Sequence, residues 1–530
     1  MPPAIDAVNA AAVTQAALAR LPQTFVGRAA LSGAVLSAGY LVWLSVYRLF
    51  LSPLARFPGP KIAALTGWYE FYYDVIKQGK YVFKIKDLHN KYGPIVRINP
   101  HELSIDDGEF YNTLYVAGSV RRTENYHEFV KGLNFEDSHF LTTPHDLHRR
   151  RRKPLEPFFS RLGATKMEPM LRELAKKLDK RLQELSGSGR VVRLDHAFFA
   201  FSGDVITRIC TDDAPDFLDD PNFASDWFEL VHGVILSIPV MVAFPWLVKI
   251  ITWIPESVVS WILPHSEGPK DFEKFAKRSI EKAMADKRSG KEAKTDGSRT
   301  SLFRHVLDSD MPESELSVDR LVKEAQILFG AGSVSVARTL DFITFYVLQK
   351  PHIRERLQLE LKDIMADYPN TFPTWAQIEK LPYLQAVIHE GLRLSYGVMH
   401  RLPRVSPDMA LQYKEWTIPR GVPVGMSAFM MHTDPKVYEK PFEFIPERWL
   451  GDNVNPALKR NYVPFAKGSR SCLGMSLAYG ELNILMALMF RPGGPNLQLY
   501  ETDESDIMQT HDFLIPLPKL ESKGFRVLVK

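Results

Sequence analysis

Cysteine and unbalanced charge are the two things this chain has least of. Its 530 residues contain 2 cysteines, and 66 Lys plus Arg stand against 62 Asp plus Glu, which leaves a formal net charge of +4. So few cysteines exclude a disulfide-stapled scaffold, and the balanced charge gives no support for nucleic-acid binding. Apolar residues make up 45% of the chain, which is too many for a disordered protein. These figures leave open whether Cys210 or Cys472 has a function.

Charge is also absent from a long run near the N-terminus. The 19 residues from Ala29 to Tyr47 are uncharged, and a helix of that length reaches about 28 Å, close to the thickness of a bilayer core. A cleaved signal peptide fits less well, because bulky residues such as Trp43 occupy the end where a small-residue cleavage site is expected. A buried core helix is the third alternative. We predict an uncleaved transmembrane anchor at 29–47, after an N-terminal tail at 1–28.

The charges around this run indicate its orientation. Basic residues follow it at Arg48, Arg56 and Lys61 and precede it at Arg20 and Arg28. This weak bias places the large C-terminal part in the cytoplasm. The chain has no Asn-x-Ser/Thr acceptor site, which agrees with a reducing compartment, as does the small number of cysteines.

Beyond the anchor, prolines and helical periodicity define the organisation. The segment Phe57-Pro-Gly-Pro60 cannot continue a helix, so we expect a proline-rich hinge at 48–60 and one large domain at 61–530. The polar stretch Lys287–Thr300 predicts an exposed loop. The periodicity predicts helices at Met167–Leu185, Lys270–Lys287, Val318–Leu348, His352–Tyr368, Gln385–Leu394 and Cys472–Met489.

Strand signals are few and fall in two places. Ile95–Ile98 and Leu103–Ile105 form the first group, and Trp416–Ile418 and Val422–Val424 form the second. Pro419-Arg-Gly421 between the latter two predicts that they pair as a hairpin. The chain is therefore expected to be mainly α-helical with a small β subdomain.

A second apolar stretch, Val231–Val248, has three possible interpretations. Pro239 and Pro245 interrupt it, and prolines within a membrane span need compensation. We favour a segment at 231–262 that dips into the bilayer surface, over buried core helices or a true second span.

The second cysteine lies in a specific motif. Residues 464–474 read Pro-Phe-Ala-Lys-Gly-Ser-Arg-Ser-Cys-Leu-Gly. The pattern Phe465-x-x-Gly468-x-Arg470-x-Cys472-x-Gly474 resembles the heme-binding signature of the cytochrome P450 family, with every fixed position filled. The resemblance implies the P450 fold, preceded here by one transmembrane helix, and heme b with Cys472 as the axial thiolate ligand to iron.

Physical chemistry agrees with that ligand. A thiolate needs a positive environment, and Cys472 precedes a strongly helical run whose N-terminus favours an anion. Gly468 and Gly474 would let the backbone approach sulfur and porphyrin closely. Phe465 would pack beside the sulfur and Arg470 would pair with a heme propionate. The alternative, a buried structural cysteine, is the interpretation that we keep for Cys210.

Other family motifs occur in the expected order. Glu390-Gly-Leu-Arg393 and the later Pro446-Glu-Arg448-Trp supply the three residues Glu390, Arg393 and Arg448, which in the family form a buried charge network that serves folding and heme retention. Glu-x-x-Arg alone is common on surface helices. It indicates the family only in combination with the cysteine motif.

Further positions resemble heme contacts. His148 and Arg152 stand four residues apart and look like the family's aromatic-x-x-x-Arg helix, with His in place of Trp. Arg404 matches another propionate-binding arginine. The basic block Arg149–Lys153 is either a solvated charge run or a surface that faces an acidic electron donor.

The chain departs from the family on the helix expected to cross the oxygen side of the heme. Ala331 and Gly332 fit the usual small pair, where they would leave room for dioxygen, but the usual acid is Val334 and the usual Thr is Ser335. Cleaving the O–O bond consumes two protons, which Val334 cannot relay. Ser335 still offers a hydroxyl, or is simply a small core residue.

The resemblance implies a heme-thiolate monooxygenase of the endoplasmic reticulum membrane. It would oxidise an apolar small molecule with O2 and electrons from NADPH-cytochrome P450 reductase, with a cytochrome b-type donor as an additional partner. The chain looks most like fungal members that tailor terpenoid or polyketide secondary metabolites. Val334 keeps an oxygen-independent isomerase or dehydratase open, and a non-enzymatic heme protein is the third hypothesis. Family position selects as pocket residues Val398, Met399, Phe329, Val334 and Phe513.

Overall fold

Helices make up most of the fold. The computed structural model describes residues 25–131, 133, 135–246, 267–290, 300–451 and 455–530. In chain order the helices are α1 Phe25–Val46, α2 Lys61–Leu65, α3 Trp68–Phe71, α4 Tyr81–Tyr92, α5 Tyr111–Leu114, α6 His127–Val130, α7 His145–Arg152, α8 Glu156–Phe159, α9 Arg161–Lys166, α10 Glu168–Glu184, α11 Leu194–Cys210, α12 Ser225–Ala243, α13 Glu267–Arg288, α14 Leu302–Leu307, α15 Val318–Gln349, α16 Pro351–Ile364, α17 Trp375–Ile378, α18 Pro382–Ser395, α19 Ala428–His432, α20 Pro456–Asn461 and α21 Met475–Met489.

The strands are short and form four sheets within these ranges. They are β1 Ile95–Arg97, β2 Leu103–Ile105, β3 Glu124–Asn125, β4 Val191–Arg193, β5 Arg404–Val405, β6 Leu411–Tyr413, β7 Trp416–Ile418, β8 Pro423–Gly425, β9 Leu497–Leu499, β10 His511–Phe513, β11 Ile515–Leu517 and β12 Arg526–Val529. One sheet has the order β1-β2-β8-β5-β3, in which only β2 and β8 run parallel, and another has the order β4-β12-β9. The other two are the hairpins β6–β7 and β10–β11.

The mainly helical class with a small β component is confirmed, and each of the six predicted helices is present. The predicted hairpin of Trp416–Ile418 with Val422–Val424 is wrong. β7 pairs instead with β6, where Tyr413 lies opposite Trp416. The turn between them places Lys414 in the left-handed region at φ 49°, and lysine is not one of the residues that typically signal such a turn. β8 pairs with β5 and β2 in the five-stranded sheet.

The long helix α15 is the centre of the molecule, packed against α11, α13, α18 and α21. Its apolar side chains lie in one large cluster that includes residues of all four neighbouring helices. Gly332 allows the close approach of α11, since a Cβ there would lie 2.6 Å from Cγ1 of Ile206. This buried helix is the frame on which the site is built.

Three of the described helices are long and apolar enough to cross a membrane, namely Phe25–Leu51, α12 and α15. Only the first has no buried residue in its apolar window, whereas α15 is two-thirds buried and belongs to the core. The helix Phe25–Leu51 is longer than the predicted anchor and includes Arg28 and Arg48. Its end is tied to the domain, because Arg48 donates to the carbonyl oxygen of Leu65 at 2.6 Å.

Parts of three predicted segments lie outside the described residues. They are most of the N-terminal tail, residues 291–299 of the predicted loop, and residues 247–262 of the predicted interfacial segment. The described part of that last segment begins in α12, which buries Val231, Val234 and Ile235 against the protein.

Candidate active site

The Cys472 loop is shaped by backbone hydrogen bonds. The Cys472 N–H donates to the carbonyl oxygen of Phe465 at 2.9 Å, and the Ser471 N–H donates to that of Gly468 at 3.1 Å. Gly468 has φ 77°, and a Cβ on it would lie 2.5 Å from the Val116 carbonyl oxygen. This backbone contact requires glycine at 468, and the close approach of the loop to sulfur and porphyrin stays a prediction.

Cys472 is exposed although most of the loop around it is partly buried. It precedes helix α21, which begins at Met475 and not at the predicted Cys472. Although the residue is exposed, the protein atoms around its sulfur displace water and so raise the pKa of the Cys472 thiol, while the Gly474 backbone N–H and the charge of Arg152 act to lower it. Phe465 packs its ring against Tyr479 at a centroid distance of 5.3 Å. Cys210, in contrast, is fully buried, and burial raises its pKa further.

Positive side chains gather beside this loop. Arg152 donates to the Ser471 carbonyl oxygen at 2.7 Å, and Arg470 donates to the carbonyl oxygens of Thr142 and Thr143 at 2.6 and 2.8 Å. Burial, with nearby Arg404, lowers the pKa of Arg470 to about 9. We call His148, Arg152, Arg404 and Arg470 the cationic cradle.

Within the cationic cradle, Arg152 alone has a carboxylate partner among the described residues, the half-exposed Glu156 at 3.1 Å. Within the described part of the chain, no carboxylate lies within ion-pair distance of Arg404 or Arg470. His148 Nδ1 and Arg470 Nε are buried without a hydrogen-bond partner. Burial and the charge of Arg470 lower the pKa of His148 to about 2, so this imidazole is neutral. The positive charges of Arg404 and Arg470 are therefore not neutralised by a carboxylate of the described residues, and an anionic group such as the two propionates of heme would fit beside them.

Strand pairing positions Arg404. It lies on β5 opposite Asn125 of β3, and its guanidinium donates to the Asn125 side-chain oxygen at 2.9 Å. Burial lowers the pKa of Arg404. Asn125 does not belong to any of the family motifs, and it lies 279 positions from Arg404 in the chain. No signal in the sequence therefore identifies Asn125 as the partner of Arg404.

Helix α18 carries a buried charge network centred on Glu390. Arg393 donates to both carboxylate oxygens of Glu390, at 2.8 and 2.7 Å, and Arg448 donates to one of them at 3.0 Å. The Trp449 indole N–H and the Ile445 backbone N–H, which sequence analysis missed, also donate to Glu390. Burial favours a high pKa for Glu390, but these donors and charges outweigh it and lower its pKa.

On α15, Ala331 and Ser335 share one face. Ala331 is exposed and Ser335 half-buried although both lie in mid-helix, and the Ser335 hydroxyl donates to the Ala331 carbonyl oxygen at 2.8 Å. Gly332 faces Ile206 of α11, so helix packing also explains its small size, and its role in leaving room for dioxygen stays a prediction. Val334 is 5% exposed.

The pocket candidates separate into two groups. Val398 is partly exposed, whereas Met399 is fully buried among Tyr81 and Val82. Phe329 is fully buried and packs its ring against Phe275 and Phe303. The expectation that Met399 and Phe329 line the pocket is therefore wrong, because both side chains point into core clusters. Phe513, on β10, is nearly buried.

The residues of the basic block Arg149–Lys153 differ in their exposure to solvent. Arg149, Arg150 and Lys153 are exposed, while Arg151 is buried and pairs with Glu315 at 2.7 Å. A neighbouring buried cluster, in which Arg320 pairs with Glu324 at 2.6 Å and His139 contacts the same carboxylate, ties the preceding loop to α15.

Comparison with known proteins gives concordant results. The family model described as Cytochrome P450 matches residues 59–521. Among similar proteins, the cytochrome P450 monooxygenase oblB of Aspergillus clavatus is 54% identical over 94% of this chain and 97% of its own length. The fusicoccadiene C-8 hydroxylase of Phomopsis amygdali is 50% identical over 92% of this chain and 93% of its own. The stellatic acid synthase of Emericella variicolor is 46% identical over 93% of this chain and 94% of its own length.

Proposed function

The chain belongs to the cytochrome P450 family and is a heme-thiolate monooxygenase, and we propose that it oxidises an apolar cyclic terpenoid at a membrane surface. The substrate class is supported by similar proteins whose names state a hydroxylation of fusicoccadiene and a synthesis of stellatic acid. Their alignments cover more than nine-tenths of both chains, so the proposal concerns the whole protein. A polyketide is the second substrate class.

The single observation that carries the proposal is the cationic cradle with its orphaned donors beside Cys472. We propose that Cys472 is the thiolate ligand and that the cradle holds the propionates. When bound, heme with a thiolate ligand supplies activation of O2 and transfer of one oxygen atom to a C–H bond, the other oxygen leaving as water. The Gly474 N–H and the Arg152 charge stabilise the anionic sulfur.

Ser335 is proposed to hold and pass on the two protons, one after the other, that O–O cleavage requires. Its hydroxyl lies on the same face of α15 as exposed Ala331 and is already oriented by the Ala331 carbonyl oxygen. Val334 has no exchangeable side-chain proton and is buried, so it cannot take this role. Glu390, Arg393 and Arg448 are proposed to hold the fold around the Cys472 loop, away from the chemistry.

A bilayer location is supported by two apolar surfaces. Helix Phe25–Leu51 fits a membrane anchor because none of its apolar window is buried. The exposed Trp68 and Trp246 flank a second patch, in which Phe71 and Phe244 rings pack at 5.5 Å. We propose that both contact the endoplasmic reticulum membrane, with the catalytic domain in the cytoplasm.

P450 monooxygenases need a redox partner, and we propose NADPH-cytochrome P450 reductase, assisted by a cytochrome b-type donor. The exposed Arg149, Arg150 and Lys153 support a docking surface for an acidic protein. Arg151 is excluded from that surface, because it is buried against Glu315.

Turnover in reductase-supplemented microsomes tests the function. A cyclic terpene hydrocarbon should gain oxygen only when NADPH and O2 are both present, with mass spectrometry as the readout. Turnover without either reagent would favour the isomerase or dehydratase alternative that Val334 raises. A reductase-free microsome is the matched control.

A further inference from the structure

The apolar N-terminal helix ends against the catalytic domain in a defined joint. Arg97 of β1 donates to the carbonyl oxygen of Arg48 at 2.7 Å and to that of Pro100 at 2.8 Å. Arg48 in turn donates to the carbonyl oxygen of Leu65 at 2.6 Å. Since Arg97 is only 2% exposed, a buried guanidinium fixes the end of this helix to the five-stranded sheet.

Two arginines set the depth of this joint in the proposed membrane location. Arg28 and Arg48 lie near opposite ends of the helix Phe25–Leu51, and the residues between them are uncharged. A helix from one to the other is about 30 Å long, which is the thickness of the hydrocarbon core. Each charged side chain therefore reaches the headgroup layer on its own side. Because Arg97 is hydrogen-bonded to Arg48, the joint lies at the level of the lipid phosphates.

A small cleft opens beside this joint, and we call it the junction cleft. Its lining includes Leu49 and Phe57 from the chain that follows the helix, Lys61 and Ala64 of α2, and Arg97. Lys61 is exposed, whereas Arg97 Nε is buried without a hydrogen-bond partner. The space inside is about the size of a water molecule, so one oxygen of a larger group can enter it while the rest of that group stays outside.

The charge around the junction cleft is positive and unbalanced. Its basic side chains, which we call the junction cations, are Arg48, Arg56, Lys61 and Arg97. Within the ranges that the structure describes, none of them forms an ion pair with a carboxylate, and the three arginines donate to carbonyl oxygens. Glu102, which precedes β2, pairs with Arg401 instead. Burial and the charge of Arg48 lower the pKa of Arg97 to about 10, so the junction cations repel one another.

Charge, size and depth together select the ligand. A phosphate oxygen carries negative charge, matches the space in the junction cleft, and is present in the headgroup layer where the joint lies. A zwitterionic headgroup brings a cation of its own to a surface that is already positive, so a lipid with net negative charge is favoured. We propose that the junction cleft binds the phosphate group of an anionic phospholipid, an inference that rests on the proposed membrane location.

Lipid selection by the full chain tests this assignment. The heme-loaded chain is reconstituted in vesicles that contain equal amounts of phosphatidic acid and phosphatidylcholine with identical acyl chains. After extraction in detergent, native mass spectrometry counts the lipids that stay bound, and the wild type should retain phosphatidic acid in preference. Lys61→Gln should lower that preference about fivefold, as expected for one basic residue at a charged surface. Lys61→Arg, which keeps the charge, should keep the preference.

Two controls make the result specific. Lys166→Gln removes the same charge from the exposed surface of α9 and should leave the preference unchanged. Inorganic phosphate in excess should not displace the retained lipid, and displacement would overturn the lipid assignment in favour of soluble phosphate. An equal preference in wild type and Lys61→Gln overturns the inference, while resistance of the chain to extraction by alkaline carbonate would leave the proposed membrane location standing. A wild type that does not insert into the vesicles overturns both.

Discussion

Replacing Glu390 by glutamine should be one of the costliest substitutions in this protein. The Glu390 carboxylate accepts five hydrogen bonds, two from Arg393 and one each from Arg448, Trp449 and Ile445. A glutamine keeps one acceptor oxygen, so at least two donors then face an NH2 group. It also removes the negative charge while Arg393 stays 0% exposed.

The expected cost follows from that burial. Breaking a buried ion pair by neutralising one partner costs about 3–5 kcal/mol, because the other charge is left uncompensated. We expect Glu390→Gln to lower the free energy of unfolding by about this amount, measured by urea titration with far-ultraviolet circular dichroism, and to lower the heme content on purification.

The control lies close by in the chain. Glu447 pairs with Arg356 at 3.2 Å, but the two side chains are 44% and 50% exposed. Such a pair contributes about 0–1 kcal/mol, so Glu447→Gln should have little effect. Equal urea midpoints for the two variants would refute the reasoning from burial.

The pH dependence has a defined sign. The folded-state pKa of Glu390 is lowered, so its contribution is fully present above the unfolded-state value of about 4.3 and is lost as pH falls through the folded value. The difference in unfolding free energy between wild type and Glu390→Gln should therefore shrink in acid. A difference that grows below pH 4 would contradict the assigned ion pairs.

Cys472→Ser should abolish the thiolate-type spectrum of the reduced CO complex, and a normal spectrum would remove Cys472 as the ligand. Ser335→Ala should uncouple NADPH consumption from product formation, whereas Ser335→Thr should keep them coupled; unchanged coupling in the alanine variant would exclude Ser335 from proton transfer. Gly332→Ala should destabilise the fold by about 1–3 kcal/mol, because its Cβ would lie 2.6 Å from Ile206. Adding Ile206→Ala should recover much of that loss in urea titration, and no recovery would show that another contact is responsible.

The sequence alone identifies the class of protein and predicts the position of its reactive residue. The spacing of Phe465, Gly468, Arg470, Cys472 and Gly474 needs no tertiary information, since all five lie within ten residues of one loop. Periodicity also determined the long helices, because their apolar faces repeat over many turns. The family and the enzyme class that the motif implied are confirmed.

Local signals failed where the deciding contact was distant or the turn unmarked. The hairpin of β6 and β7 depends on the left-handed backbone conformation of Lys414, which turn propensities do not predict for lysine. The sequence therefore predicts the wrong partner for β7. Family position does not predict that the Met399 side chain points into a core cluster while those of Val398 and His400 are partly exposed. Side-chain direction in a short irregular segment depends on packing, which no pattern within the segment encodes.

Contacts between residues far apart in the chain assemble the cationic cradle. Asn125 meets Arg404 across 279 residues and Asp512 meets His400 across 112, so neither pair has a local signature. The contact between Gly332 and Ile206 of α11 likewise joins residues far apart in the chain. The sequence identifies the residues that are predicted to carry the chemistry. Burial and long-range contacts decide which charges and hydrogen-bond donors lack a partner in the protein. Those unpaired groups indicate where a ligand binds.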